Sequence, residues 1–344
     1  MRNDTDTLTR RSQPTLKEVA ERAGVSQMTV SRVLNSPDIV RQETRERVRA
    51  AITELNYRPN LVARSLAGGR SLFIGLTYNN PSSGYLGELL IGALKSCRSG
   101  GHHLVVEELS DGDVEEPERV AERLREGGLD GLLVAPPLSE NAPLIEALRA
   151  AGIPCVLITP AETGTGARRV AIDEEAAAHA MTGQLLRLGH ERIGFVSGPD
   201  TQLAPDIRMQ GYERALREAG QPFRSELIVP GAFTYRSGME ATERLLALEE
   251  PPTAIFAAND DMAAGVIAAA HRAALRVPED LSVAGFDDTE MARTIWPSLT
   301  TIRQPIADMA ACAVDLLGED GQERRAIVLD FELVERDSVA PPAS

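Results

Sequence analysis

Hydrophobic residues recur at helical spacing in three short segments near the start of the chain. The first segment follows Thr15, whose pairing with Glu18 predicts a capping box, and it ends at Gly24. A second helix is expected over Gln27–Leu34, and a third from about Glu43 to Asn56. Two short helices joined by a tight glycine turn predict a helix-turn-helix. A small bundle that binds no DNA has the same pattern, so the pattern alone leaves the function open.

From residue 71 onward, short apolar segments alternate with helical stretches of about 10–15 residues. This alternation predicts parallel sheets with helices on both faces, and about 270 residues is large for one such sheet. The predicted fold is therefore an all-α helix-turn-helix head followed by an α/β core of two parallel-sheet sub-domains. The strands are expected at Leu72–Leu76, Leu104–Glu107, Gly131–Ala135, Cys155–Thr159, Arg192–Ser197, Thr253–Ala258 and Ser282–Phe286.

The charge of the chain is divided unevenly between these two parts. The whole chain carries 36 Lys and Arg against 51 Asp and Glu, and this net charge of −15 by itself disfavours nucleic acid as a partner. Residues 1–70 carry 13 Lys and Arg against 8 Asp and Glu, a net +5, whereas the remainder carries 23 against 43, a net −20. A basic head on an acidic body directs the search for a nucleic-acid site to the head.

Sequence signals of export, membrane insertion and catalysis are absent. No apolar run approaches ~18 residues, and residues 1–13 lack the apolar core of a signal peptide and are expected to form a disordered tail. The three widely spaced cysteines suit a reducing cytoplasm, which is the expected location. The sequence has no nucleophile-and-base motif, phosphate-binding glycine loop or metal-ligand spacing. We therefore expect no enzyme activity, no metal and no cofactor.

Several segments resemble the lactose repressor (LacI/GalR) family of bacterial transcription regulators. In the first 70 residues these are TLKEVAERAGVSQMTVSRVLN and TRERVRAAITELNYRPNLVARSLAGG, which are similar to the DNA-binding head and hinge of the family. In the body they are LGHERIGFVSGP, IRMQGYERAL, PTAIFAANDDMAAG, VPEDLSVAGFDD and PSLTTIRQP, which resemble its effector core. The sequence departs from the family at Arg41, where a serine usually caps the third helix, and loss of such a cap costs roughly 1 kcal/mol.

The resemblance implies that residues 14–59 form a DNA-binding domain whose second helix lies in the major groove. Gln27 and Met28 fall at positions that set specificity, where glutamine suits adenine and methionine the thymine methyl group, while Arg32 could reach guanine. Thr29, Ser31 and Asn35 are better placed for phosphates. The predicted DNA-binding residues are Thr15, Gln27, Met28, Thr29, Ser31, Arg32, Asn35, Asn60 and Leu66.

Residues 60–69 correspond to the hinge helix of the family, which pairs with its dimer mate in the minor groove. Leu66 then matches the apolar wedge that enters the central base step. A helix this short is marginal alone in water, so we expect it to fold only on DNA. A ligand that binds elsewhere in the protein can therefore shift the folding equilibrium of such a segment. A flexible linker with incidental apolar residues is the alternative.

For residues 70–340 the resemblance implies an effector-binding and dimerisation core. Its first sub-domain is expected at about 70–189 and 303–332, and its second at about 190–302 and 333–340. The chain should cross between them near Gly189, Ile302 and Leu333, and the ligand should bind in the cleft at the carboxyl ends of the strands. Arg, Asp and Asn side chains suit the hydroxyls of a sugar, and aromatic rings cover its C–H face. The predicted effector-binding residues are Tyr78, Asn79, Asp173, Arg208, Phe233, Asn259, Asp287, Trp296 and Gln304.

The predicted function is a homodimeric regulator that binds a pseudo-palindromic operator of double-stranded DNA, and most simply a repressor released by a sugar or sugar-like inducer. A repressor that needs a purine-like corepressor, or another small metabolite, is the alternative. A solute-binding module would explain the cleft but not the head, and it requires an export signal. The last residues, LVERDSVAPPAS, show no apolar heptad, so we expect no coiled coil that would join dimers into a tetramer.

Overall fold

Three helices form the N-terminal unit in a computed structural model, which describes residues 16–35, 40–55, 71–158, 166–318 and 326–343. They are α1 (Leu16–Ala23), α2 (Gln27–Asn35) and α3 (Gln42–Glu54). Val19, Val30 and Val48 are fully buried between them. This unit comprises residues 1–71, and residues 72–344 form the second unit. The predicted hinge helix, with Asn60 and Leu66, lies outside the described residues, as does Thr15.

Local hydrogen bonds explain where the head helices begin. The Oγ of Ser26 accepts a hydrogen bond from the backbone N–H of Thr29 at 3.1 Å, so Ser26 caps α2. Arg41 precedes α3 and makes no side-chain capping bond, which agrees with the loss of a cap expected from the sequence. Gln42, the first residue of α3, donates from its Nε2 to Glu46 one turn later at 3.1 Å.

Two six-stranded sheets build the second unit. The first has the order β11-β5-β4-β3-β1-β2 and is parallel throughout. Its strands are β1 (Phe73–Tyr78), β2 (His103–Glu108), β3 (Gly131–Val134), β4 (Cys155–Ile158), β5 (Arg168–Ile172) and β11 (Ala326–Leu329). The second has the order β12-β10-β9-β8-β6-β7, in which only β12 is antiparallel to its neighbour. Its strands are β6 (Ile193–Ser197), β7 (Ile228–Pro230), β8 (Ala254–Ala257), β9 (Ser282–Asp287), β10 (Thr300–Arg303) and β12 (Glu332–Val334).

Helices cover both faces of each sheet, as the alternating pattern predicts, and the predicted fold class is confirmed. Beside the first sheet lie α4 (Ser83–Gly100), α5 (Asp111–Val114), α6 (Pro117–Glu126), α7 (Ala142–Ala150) and α13 (Ile306–Gly318). Beside the second lie α8 (Glu174–Arg187), α9 (Leu203–Glu218), α10 (Tyr235–Leu246), α11 (Asp260–Arg272) and α12 (Glu290–Thr294).

The chain crosses between the two sheets at three places, of which the first differs from expectation. Helix α8 packs against α9 and the second sheet, so the first crossing lies at Asp173, before α8, and not near Gly189. The second lies between β10 and α13, next to the expected Ile302. The third lies between β11 and β12 at residues 330–331, just before the expected Leu333, which is itself part of β12. Helical periodicity located α8 but could not show which sheet the helix covers.

Candidate functional site

A pocket lies between the two sheets, where the loops after several parallel strands meet. Its empty volume is about 430 Å³ and it opens to solvent. The walls follow the carboxyl ends of strands in both sheets, which is where α/β proteins bind ligands. The lining residues are Asn80, Ser82, Tyr85, Pro136, Glu174, Gln202, Ala204, Arg208, Phe233, Asn259 and Asp287.

Among the described residues that line this pocket, one has a cationic side chain, and it is Arg208. It lies in the second turn of α9 and is only 5% exposed. Its Nε donates to Glu174 Oε2 at 2.8 Å, and its Nη1 donates to the carbonyl oxygen of Ala258. The guanidinium carbon lies 3.7 Å from the centre of the Phe286 ring. Burial alone would lower the pKa of Arg208, but the carboxylates of Glu174 and Asp287 raise it, so the side chain stays charged.

Asp287 ends β9 in a strained backbone conformation, with a φ of 118° that L-residues rarely adopt. The residue is 4% exposed, and its Oδ1 accepts a hydrogen bond from Gln304 Nε2 at 2.6 Å. Burial raises the pKa of Asp287 well above its ordinary value, Arg208 lowers it, and the nearby Asp260 raises it again. Burial therefore favours the neutral form of this carboxyl group at the pocket wall, and in either form it can accept a hydrogen bond from a ligand.

Asn259 and Phe233 form another part of the wall. Asn259 caps α11, because its Oδ1 accepts a hydrogen bond from the backbone N–H of Met262 at 2.9 Å. Its Nδ2 donates to the carbonyl oxygen of Phe233 at 3.1 Å. Phe233 has a positive φ of 56° and places its ring at the pocket. Asn259 thus fixes the loop that carries the aromatic side chain as well as lining the pocket itself.

The other predicted effector residues lie elsewhere. Trp296 is 78% exposed in the loop after α12 and is not among the lining residues. Asp173 caps α8 at the first crossing, where it accepts a backbone N–H at 2.9 Å. Asn79 lines an adjoining pocket, and Tyr78 lines neither, with its pKa raised by partial burial and by Glu108. The structure therefore brings together Arg208, Phe233, Asn259 and Asp287, with Gln304 behind Asp287.

Several lining residues were not predicted from the sequence. Glu174 follows β5, and this strand was not recognised because it begins with two arginines. Recognition of β5 would have pointed to Glu174, since it lies two residues after the carboxyl end of that strand, next to the predicted Asp173. Asn80, Ser82 and Tyr85 lie in the variable segment after β1, where residue type alone does not indicate a role.

Glu140 connects the two sub-domains beside the pocket. It ends the 3₁₀ turn Leu138–Glu140, and its Oε2 accepts a hydrogen bond at 2.7 Å from the backbone N–H of Leu203, the first residue of α9. Gln202, at the N-cap position of α9, makes no side-chain capping bond. Glu140 thus caps the helix from the opposite side of the cleft. Its Oε1 is buried and has no hydrogen-bond partner among the described residues, and burial raises the pKa of Glu140 to about 7.

Asp288 follows the strained residue of β9 and is surrounded by arginines. Its Oδ2 accepts hydrogen bonds from Arg303 Nε at 2.7 Å and Arg293 Nη2 at 3.2 Å, and its Oδ1 accepts one from Arg336 Nη2 at 2.5 Å. Burial would raise the pKa of Asp288, but its hydrogen bonds to these arginines lower it. Arg303 also pairs with Glu332, so the network joins β9 to residues beside the second and third crossings.

In the head, α2 contains six of the residues predicted to contact DNA. Met28 is 64% exposed, and Gln27 and Arg32 are also exposed. The Oγ1 of Thr29 lies 2.9 Å from the Oγ of Ser26, so this hydroxyl is held at the start of the helix. Ser31 and Asn35 belong to the same helix.

Among the described residues, no group of three or more His, Cys, Asp or Glu is arranged to hold a metal ion. None of the described helices combines the length and the apolar composition needed to cross a membrane.

Comparison with known proteins gives concordant matches over both units. A family model described as bacterial regulatory proteins of the lacI family matches residues 15–60, and a periplasmic binding protein-like domain matches residues 182–339. The catabolite control protein A of Priestia megaterium is 36% identical over 306 residues, which cover 88% of this chain and 91% of that protein. The HTH-type transcriptional repressor PurR of Pectobacterium atrosepticum is 36% identical over 335 residues, 95% of this chain and 97% of the relative.

Solved structures of similar proteins agree with the fold. The lac repressor dimer bound to operator and the anti-inducer ONPF superimposes with a TM-score of 0.77 at 32% identity, and covers 96% of this chain and 100% of that chain. A complex of the transcriptional regulator CelR with cellobiose has a TM-score of 0.71 at 31% identity, and covers 94% of this chain and 99% of that chain.

Proposed function

This chain belongs to the LacI family of bacterial regulatory proteins, and we propose that it is a homodimeric repressor that a sugar or sugar-like inducer releases from its operator. The proteins that it matches over most of their length include a transcriptional repressor and a lac repressor dimer bound to operator and an anti-inducer, which supports this proposal. A cytoplasmic location belongs to the proposal, because the operator is there.

The observation that carries the choice of effector is the set of polar side chains that meet at the pocket. Arg208, Asp287 and Asn259 supply donors and acceptors at the carboxyl ends of strands in the second sheet. Phe233 adds an aromatic ring, which suits the C–H face of a sugar. Asn80 and Ser82 come from the opposite sub-domain, so a ligand there would contact both.

Effector binding is proposed to act by changing how the two sub-domains are arranged. Because the chain crosses between them three times, a rearrangement at the cleft moves the first sub-domain, whose β1 follows the predicted hinge directly. That movement alters the folding equilibrium of the hinge helix at residues 60–69 and hence operator affinity. By linkage, operator and effector must change each other's affinity by the same factor.

At the operator, we propose that the second helix of each head reads one half-site, with Gln27 and Met28 on base edges and Arg32 within reach of guanine. Thr29, Ser31 and Asn35 are assigned to phosphates. Thr15, Asn60 and Leu66 complete this set on the basis of the family resemblance.

The test begins with an operator selected from random-sequence duplexes and labelled for fluorescence anisotropy. The full chain should bind it tightly, with an affinity that falls as salt rises. Deletion of residues 1–59 should abolish binding and leave effector-dependent thermal stabilisation intact. Equal operator binding by the truncated chain would overturn the assignment. Titration of the complex with neutral sugars decides the direction, since an inducer lowers the anisotropy and a corepressor raises it.

A further inference from the structure

The charges along the cleft are unbalanced. Glu174 and Asp287 line the pocket together with Arg208, and Glu140 lines the adjoining pocket, which shares Gln202 with the first. Among the described residues that line the two pockets, three are therefore carboxylic acids and one is a cation. Each of these four side chains is largely buried, so their interactions are weakly screened by solvent.

Arg208 is already committed to partners within the protein. Its Nε is bound to Glu174, its Nη1 to a backbone carbonyl, and its guanidinium plane is stacked on Phe286. Glu174 and Arg208 are both almost fully buried, so their charges offset each other locally. An anionic ligand would therefore find the charge of the arginine offset by Glu174, and the described residues that line the two pockets offer it no second cation.

We propose that the cleft excludes anionic ligands and takes an uncharged or cationic polyol, so that sugar phosphates and sugar acids are not effectors. This inference rests on the proposed function, because it assumes that the cleft receives the effector. Hydroxyl or ammonium donors of such a ligand suit Asp287 and the unpartnered Oε1 of Glu140. A phosphate or carboxylate group needs a cation to offset its charge when it leaves water, and Arg208 is the one cation among the described lining residues.

Inorganic phosphate tests this charge filter without knowledge of the effector. Its affinity is measured by thermal shift against chloride at matched ionic strength, for the full chain and for Glu174→Gln. The substitution frees Arg208 from its ion pair, so the variant should bind phosphate at least ~10-fold more tightly than the unchanged chain. Adding Arg208→Ala to the Glu174→Gln variant should remove the gain, which places the phosphate at Arg208.

The matched control is Glu175→Gln, one residue away, whose carboxylate pairs with Arg214 at 2.6 Å outside the pocket. It should leave phosphate affinity unchanged. If circular dichroism shows that Glu174→Gln does not fold, Asp287→Asn carries the same expectation, because an amide still accepts the bond from Gln304. Phosphate binding by the unchanged chain as tight as by these variants, or no gain in the folded variant, would overturn the proposal. Operator binding in the same samples depends on the head, so this failure leaves the proposed function standing.

Discussion

Glu140 Oε2 accepts a hydrogen bond at 2.7 Å from the backbone N–H of Leu203, so a carboxylate of one sub-domain caps the first turn of a helix in the other. The bond spans the cleft beside the pocket. It couples the relative position of the sub-domains to the charge of one side chain.

This coupling predicts a pH dependence of stability. Burial raises the pKa of Glu140 to about 7, so the folded state retains a proton that the unfolded chain releases above the ordinary value of 4.5. Its contribution to stability is therefore complete below that value and is lost as pH rises through about 7. In Glu140→Gln the amide oxygen still accepts the bond, but the titration is gone. Calorimetric unfolding should show the unchanged chain losing about 1–3 kcal/mol relative to the variant between acid and mildly basic pH.

Glu146→Gln is the control for this experiment, since Glu146 lies on the surface and pairs with Arg149. Asp260 and Asp287 also have raised pKa values but are present in every sample. Parallel stability curves for the unchanged chain and Glu140→Gln would contradict the assignment of this titration to Glu140.

Arg208→Ala should abolish the effector response and preserve operator binding. It also leaves Glu174 buried without its partner, which in comparable ion pairs costs about 3–5 kcal/mol of stability. Arg214→Ala is the matched control, because Arg214 lies on the same helix in a half-exposed pair with Glu175, worth roughly 0–1 kcal/mol. Anisotropy with and without sugar, at a temperature where both variants are folded, makes the comparison. Loss of operator binding by folded Arg208→Ala would contradict the proposal that the head binds DNA and the core binds the effector.

Gln27→Ala should relax base preference within the operator half-site. The side chain is exposed at the start of α2, and a bidentate base contact is worth about 1–3 kcal/mol of discrimination. Affinities for the operator and for single-base variants should converge at one position in each half-site, whereas the salt dependence stays the same. Lys17→Ala, at an exposed site on α1, should leave base preference unchanged. A uniform loss of affinity across all sequences would assign Gln27 to the phosphate backbone instead.

Asp288→Ala should be destabilising, by about 1.5–3 kcal/mol, because it removes the carboxylate that accepts hydrogen bonds from the largely buried Arg336 and the more exposed Arg303. The arginines lower the pKa of Asp288, so its stabilising contribution is present above the ordinary value of 3.8 and is lost as pH falls below it. Urea titrations at neutral and acid pH should therefore show a smaller difference between variant and unchanged chain in acid. Asp308→Ala, at an exposed site on α13, is the control. A difference that grows in acid would contradict this account.

Trp296→Phe should leave the effector response intact. The indole is 78% exposed and does not line the pocket, so its emission should resemble that of tryptophan in water and change little when effector binds. A large change in emission on titration with a sugar that stabilises the chain would show that the loop after α12 moves on binding.

Sequence reasoning was strongest where local chemistry determines structure. The periodic segments predicted α2 within one residue and identified Ser26 as its cap, because capping depends on neighbours in the sequence. All seven predicted strands are present. The strands that were missed are short, begin with charged residues such as Arg168, or lie at a sheet edge, as β11 and β12 do.

The candidate site was only partly predictable, because it depends on which strand ends meet. Asp287 and Asn259 were identified since each follows an apolar strand in the second sheet. Trp296 has the residue type expected at a sugar site, but a loop turns it to solvent. Glu140 and Glu174 contact residues of α9 that lie 63 and 34 positions further along the chain. A local sequence pattern cannot predict such contacts.

The first sheet of the core is assembled from two segments that lie far apart in the sequence. Strands β1 to β5 lie between residues 73 and 172. The edge strand β11, together with the helix α13 that packs on this sheet, lies within residues 306–329. During synthesis, the three-helix head leaves the ribosome first, and the first sheet stays incomplete until almost the whole chain has followed. A nascent or prematurely terminated chain that ends before β11 therefore has the head but lacks part of the core. In such a chain the proposed control of DNA binding by the effector would be missing.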